Sequence, residues 1–241
     1  MPRSRLPSAI ILSPDGKAYP YKIPSTRQIK AAFRPFAHEL GYLAVVWNQL
    51  HDNLLSIFVE VLTPADDFAA KAIWYSTDSD FQQRKMLRAL IELDTQTLFH
   101  HPLLAREPRL EPFQREAIFW ILNQIEKPLR HHRNNALHAP LMLMRGVADG
   151  AVVHWVEATL NPQNPRALPL QGKNLVEEFK TYAELTGVLS DYAARIANSL
   201  KYPGRFPWPE KPRLPQAHKK KKKIRQGKRQ RPPHQRGASS A

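Results

Sequence analysis

The chain contains no cysteine. Disulfide frameworks, thiolate zinc sites and cysteine nucleophiles are thereby excluded, and the absence suits a reducing, cytoplasmic setting. Long apolar runs are missing as well. The longest hydrophobic region, residues 40–62, is interrupted by Asn48, Gln49, His51, Asp52, Asn53 and Glu60, so no membrane span is expected. Near the start, Ala9 to Leu12 is too short for a signal-peptide core. Walker loops, dinucleotide fingerprints and the G-x-S-x-G elbow do not occur, which leaves no sign of a nucleotide cofactor or a serine hydrolase. Acidic residues are nearly absent from one end. Residues 203–241 hold 13 Lys or Arg against one Glu, while residues 1–202 carry 23 basic and 20 acidic side chains. The formal net charge of +15 therefore belongs mainly to that end.

What is present reads as mostly α: a bundle of about five helices with a β-hairpin inserted before the last one. Residues 1–24 are Pro-rich and form an extended arm around the Pro14-Asp15-Gly16 turn signal, with room for a short hairpin. Residues 25–202 form the folded domain. Ser25 and Gln28 make a capping-box start, but Pro35 sets the effective beginning of a first helix that runs to Leu62. Leu40, Leu43, Trp47, Leu50, Leu54, Ile57 and Val61 recur at three and four along it, an inward-facing stripe. A short helix follows from Ala65 to Tyr75. Ser79 and Gln82 open another that reaches Phe99, with Leu87, Leu90, Leu93 and Leu98 buried and His100-His101-Pro102 as its stop.

Glu111-Pro112 starts the next helix, in which Ile118, Ile121, Leu122 and Ile125 face the core. Pro128 is expected to kink it. Asp149-Gly150, between two alternating segments, predicts a hairpin. A Pro-rich loop spans 161–171, and Asn174 with Glu177 caps a final helix reaching Leu200. Residues 203–241, with seven prolines, are expected to be a disordered basic tail.

Between the Pro128 bend and Pro140 stands His131-His132-Arg133-Asn134-Asn135-Ala136-Leu137-His138. Asn134 and His138, four apart, share a helix face, whereas Arg133 points about 140° away from His138. Asn134 is placed to orient the His138 ring, and the longer Arg133 to reach around to the same ligand. A permanently charged fork beside a ring that titrates near neutrality suits a phosphodiester. Two further R-x4-H spacings, Arg213/His218 and Arg229/His234, lie in the Pro/Lys-rich end. Only the first has a polar residue after its Arg and adjoins a predicted helix.

Arg133-Asn134-Asn135-Ala136-Leu137-His138 resembles the R-x4-6-H signature of the HEPN superfamily (higher eukaryotes and prokaryotes nucleotide-binding). The resemblance implies a helical bundle of four to five helices and a metal-independent endoribonuclease that leaves 2′,3′-cyclic phosphate ends. It casts His138 as general acid or base, Arg133 as the group stabilising phosphorane charge, and Asn134 as a partner of the imidazole or the phosphate. It also implies a homodimer whose two motifs meet, and a toxin–antitoxin or antiviral setting in which a protein antitoxin is a partner. No cofactor or metal is required.

Around this motif the residues leave other readings open. His132, like His131, either widens a substrate groove or simply sits at the negative pole of a helix. His100, His101, His131, His132 and His138 offer histidines for a metal, but without helical His-x3-His or HExxH spacing. His51 lies on an apolar line with Ala44, Trp47, Leu55 and Phe58, as a buried histidine or as support for Arg133 and His138, and neighbouring Asp52 is a second candidate for that support. Lys219, Lys220, Lys221, Lys222 and Lys223 suit electrostatic attachment to RNA, ribosomes or acidic headgroups without sequence readout, since no aromatic residue interleaves them. The alternative to an enzyme is a non-catalytic helical interaction module anchored to nucleic acid or ribosomes through this tail, or a bundle with a purely structural role.

Overall fold

The computed structural model describes residues 9–12, 18–21, 23–62, 67–95, 110–148, 151–159 and 165–215. In chain order the described elements are β1 (Ala9–Leu12), β2 (Ala18–Tyr21), α1 (Thr26–Leu62), α2 (Asp67–Tyr75), α3 (Asp80–Thr95), α4 (Pro112–Gln124), a π-helical turn (Ile125–Leu129) and α5 (Arg130–His138). These are followed by β3 (Leu141–Ala148), β4 (Ala151–Ala158), a 3-10 turn (Pro165–Leu170) and α6 (Leu175–Lys201). The mostly helical bundle and the hairpin before the last helix are as the sequence indicates. The N-terminal arm contains a small antiparallel hairpin, with Ala9 opposite Tyr21 and Leu12 opposite Ala18.

The long helices α1 and α6 form the spine and run in the same direction. Leu43 and Val46 share a hydrophobic cluster with Leu175, Phe179 and Ala183. Further along, Asn53 donates to the Ser190 carbonyl and hydroxyl at 3.1 and 2.9 Å. The larger cluster joins Leu50, Leu54 and Ile57 of α1 to Trp74, Leu87, Ile91, Ile118, Ile121 and Ile196. Burial of each such side chain is worth about 1.5–3 kcal/mol, and this apolar contact holds the helices together.

Several boundaries differ from the sequence reading for identifiable reasons. Helix α1 begins at Thr26, where Gln28 Oε1 accepts from the Ser25 N–H at 2.9 Å, and passes through Pro35 without ending. Pro35 withholds one backbone donor from a helix of 37 residues, and the packing of the remainder outweighs that loss. In α3 the inward line is Arg84, Leu87 and Ile91, all essentially buried, whereas Leu93 is exposed. Period 3.6 allows either line; contact with α1 and α4 selects the one containing the arginine. Leu98 and the His100-His101-Pro102 stop lie outside the described residues.

At Pro128 the helix is not broken but widens into the π-helical turn, in which the Arg130 N–H reaches the Ile125 carbonyl, five residues back. The extra residue accommodates the donor missing at Pro128, so helical structure is continuous from α4 into α5.

The hairpin has the register Leu141 to Ala158, Met144 to Trp155 and Gly146 to Val153. Trp155 closes over Gly146, where an added Cβ would stand 3.0 Å from the ring, so a larger residue there requires the exposed indole to shift by a few tenths of an ångström.

Part of the segment read as a basic tail from 203 packs on the bundle, within the described residues 203–215. Trp208 and Leu214 rest on the main core, Trp208 meets Phe113 edge-on at 5.6 Å, and Lys211 pairs with Glu116 at 2.6 Å. Two large apolar side chains among the prolines supply the burial that composition alone conceals. Trp208→Ala should lower the unfolding free energy by about 2 kcal/mol in urea. An unchanged unfolding free energy would contradict this packing.

Candidate functional site

The motif residues occupy α5, which stays α-helical from Arg130 to His138. Arg133 and His138 therefore remain about 140° apart around the axis, and their side chains enter different surroundings.

Arg133 points inward. Its guanidinium lies over the Trp47 ring of α1, 5.2 Å from the centroid. Its Nη1 donates to Asn134 Oδ1 at 3.1 Å, and its Nε is buried without a hydrogen-bond partner among the described residues. Trp47 is itself held in place, because its indole N–H donates to Asp80 Oδ2 at 2.8 Å. A second guanidinium, that of Arg84, lies 5.7 Å from the same ring centroid and donates to His51 Nε2 at 3.0 Å. His51 Nε2 is also 4.0 Å from Asp80 Oδ2.

The electrostatics follow from burial. Desolvation pushes the His51 ring down to about 4, opposed by Asp80 and assisted by Arg84 and Arg133. A neutral ring at physiological pH leaves its Nε2 lone pair to accept from Arg84. Burial likewise pushes the Arg84 guanidinium down to about 10, which leaves it charged at neutral pH. For Asp80 burial acts upward, but His51, the Trp47 N–H, Arg133 and Arg84 together hold its carboxyl below the usual range. Asp80 is the half-exposed mouth of this cluster.

His138 sits exposed on the last turn of α5. Partial desolvation, then the guanidinium of Arg166 in the 3-10 turn, then that of Arg133, hold its ring below the ordinary value. Arg166 and Arg133 thus both act on the imidazole, from opposite sides of the motif in sequence. Asn134, read as the partner of His138, has its amide oxygen on Arg133. His132 is engaged elsewhere: it stacks on Tyr182 of α6, centroids 4.5 Å apart and rings within 14° of parallel. The Tyr182 hydroxyl donates to Glu178 at 2.7 Å, and Lys173 meets the same carboxylate at 2.8 Å. Burial, then Lys173, holds the His132 ring below its usual value.

Lys219, Lys220, Lys221, Lys222 and Lys223 lie outside the described residues, as do His100 and His101. Among the described residues no three His, Asp or Glu side chains group as metal ligands, and no helix is long and apolar enough to cross a membrane. A separate polar pocket of about 410 Å³ opens between α1, α2 and α6 around Asn53, Glu60 and Lys201; no motif residue lines it.

Trp47, Asp80, Arg84 and Arg166 were not singled out by the sequence as site residues. Arg84 carries a retrospective signal, a charge standing three and seven residues before the buried Leu87 and Ile91. Arg166 carries none. Comparison of the chain with protein-family models, curated proteins and solved structures finds no match.

The His51 ring gains its proton later in the folded chain than in the unfolded one, whose ordinary value is 6.5. Its contribution to stability is complete above pH 6.5 and is lost as pH falls toward 4. Unfolding measured from pH 7 to 4 should show the wild type losing about 3 kcal/mol more than His51→Gln, which keeps an acceptor for Arg84. Parallel pH profiles for the two proteins would refute a buried neutral His51.

Proposed function

We propose that the protein is a HEPN-like RNA-binding protein acting as a metal-independent endoribonuclease, with the last turn of α5 as its reactive edge. The observation that carries this reading is the exposed His138 ring on the last turn of α5, held below its ordinary value by partial desolvation and by the fields of Arg166 and Arg133. A neutral imidazole can accept the proton of a ribose 2′-hydroxyl, and the cations favour the phosphate whose charge grows as that oxygen attacks. The 2′-oxygen forms a bond to phosphorus, the 5′-oxygen leaves and takes a proton, and a 2′,3′-cyclic phosphate remains. A homodimer that brings two such edges together follows from the resemblance, as do the defence setting and an antitoxin partner.

One observation favours the second reading, a non-catalytic helical interaction module. Arg133 is packed on Trp47 in the field of Asp80, an arrangement that serves the bundle whether or not RNA is bound.

Total RNA incubated in EDTA separates the two. The first reading expects cyclic-phosphate and 5′-hydroxyl ends. His138→Ala, with its fold intact, should cut at least about 100-fold more slowly. Because the His138 ring is held below 6.5, the rate should persist down to that pH and fall only in more acidic buffer. Undiminished cutting by His138→Ala, or none by the wild type, leaves only the interaction module.

A further inference from the structure

The first three turns of α1 carry no acidic residue. From Ile23 to His38 there is neither Asp nor Glu, and Glu39, the first, is met by His38 at 3.1 Å. Arg27, Lys30 and Arg34 stand in this stretch at spacings of three and four. They fall within about 60° of arc at 100° per residue and extend over about 10 Å of helix. All three are exposed, and none pairs with a described carboxylate. They border a shallow groove, wide open to solvent, whose described lining comes from α1 alone and is completed by Ala31, Phe33 and Ala37.

Three aligned cations with no counter-charge among the described residues create a local positive field, and a polyanion that follows the helix satisfies all of them together. The face has little apolar surface for insertion into a bilayer, since Phe33 is the one large apolar side chain in the described lining beside Ala31 and Ala37. Phe33, partly buried in the same groove, gives an unpaired base an aromatic wall. We infer that this groove is a second nucleic-acid contact, distinct from the α5 edge and from the terminal lysines, which holds the phosphate backbone of single-stranded RNA through Arg27, Lys30 and Arg34. The choice of RNA rests on the function proposed above. The groove itself rests on the geometry of α1.

Counterion release provides the measurement. Each phosphate neutralised on a single strand contributes about 0.7 to the slope of log affinity against log salt. Binding of a fluorescein-labelled 12-nucleotide oligouridylate is followed by anisotropy between 50 and 200 mM KCl. The full chain is used with His138→Ala throughout, so that the probe stays intact.

Adding Arg27→Ala, Lys30→Ala and Arg34→Ala should reduce the slope by about 2, with helicity unchanged because exposed alanines favour a helix. The affinity advantage of the unaltered groove should shrink roughly 20-fold across that fourfold salt range. Arg27→Lys with Arg34→Lys should preserve the slope.

An unchanged slope and affinity in the triple variant overturns the inference, as does failure of the unaltered groove to bind the probe. So does loss of binding to phosphatidylserine vesicles with RNA binding intact, which would make the groove a membrane contact. If the slope falls as expected but wild-type protein never cuts RNA, the groove stands and the nuclease reading alone fails.

Discussion

A guanidinium buried in a helical bundle must find an acceptor, and the way Arg84 does so arranges much else. Its side chain is 1% exposed, and the group that receives it is a neutral imidazole, His51. A charge in so little water is tolerated only with partners, and here they come from another helix. His51 and Trp47 share one face of α1, one turn apart, and Asp80 opens α3 beside them. The same indole that Asp80 fixes by its N–H is the surface on which Arg133 rests. Three helices are therefore registered against one another by polar contacts as well as by packing. The arginine of the motif is positioned by residues about 50 and 85 places away in sequence.

The second constraint is the continuity of α4 and α5. The π-helical turn carries the chain past Pro128 without breaking the helix. Ala136 and Ala139 share a buried cluster with Leu43, Phe179 and Ala183, while His138 is left at the solvent edge. Arg166 then approaches His138 because Ala167 and Leu170 of the 3-10 turn anchor in that same cluster. The field at the imidazole is thus a consequence of apolar packing on either side of it. Basic character recurs on the outer face of α1, where no described carboxylate pairs with Arg27, Lys30 or Arg34. Charge is consequently placed in separate patches and is not confined to the lysine run.

Much of the architecture was legible in the chain because local rules govern it. Capping pairs such as Ser79 with Gln82 and Asn174 with Glu177, Pro112 at a helix start and the alternating segments of the β3–β4 hairpin each act over a few residues. The stripe from Leu43 to Val61 repeats with the helical period. Rules of this kind misplaced the start of α1 at Pro35 and, on α3, put Leu93 inside and passed over Arg84, although Leu87 is buried and Leu90 packs on the core as expected. In both places a local preference of about 1–3 kcal/mol competes with burial spread along a whole helix. Trp208 and Leu214 were obscured in a similar way, since a window rich in proline and arginine averages out two anchoring side chains.

By itself the sequence determined the helix–hairpin–helix order, the absence of thiol chemistry, the concentration of positive charge toward one end, and the presence of an Arg–His pair spaced 140° apart on a helix. Only the tertiary structure decided that Arg133 turns inward to Trp47 while His138 stays out beside Arg166, and that Arg84 belongs to the interior. The reason is physical. Spacing along one helix states the angle between two side chains, but the surroundings each one enters are built by α1, α3 and the 3-10 turn, whose approach depends on packing summed over the whole bundle.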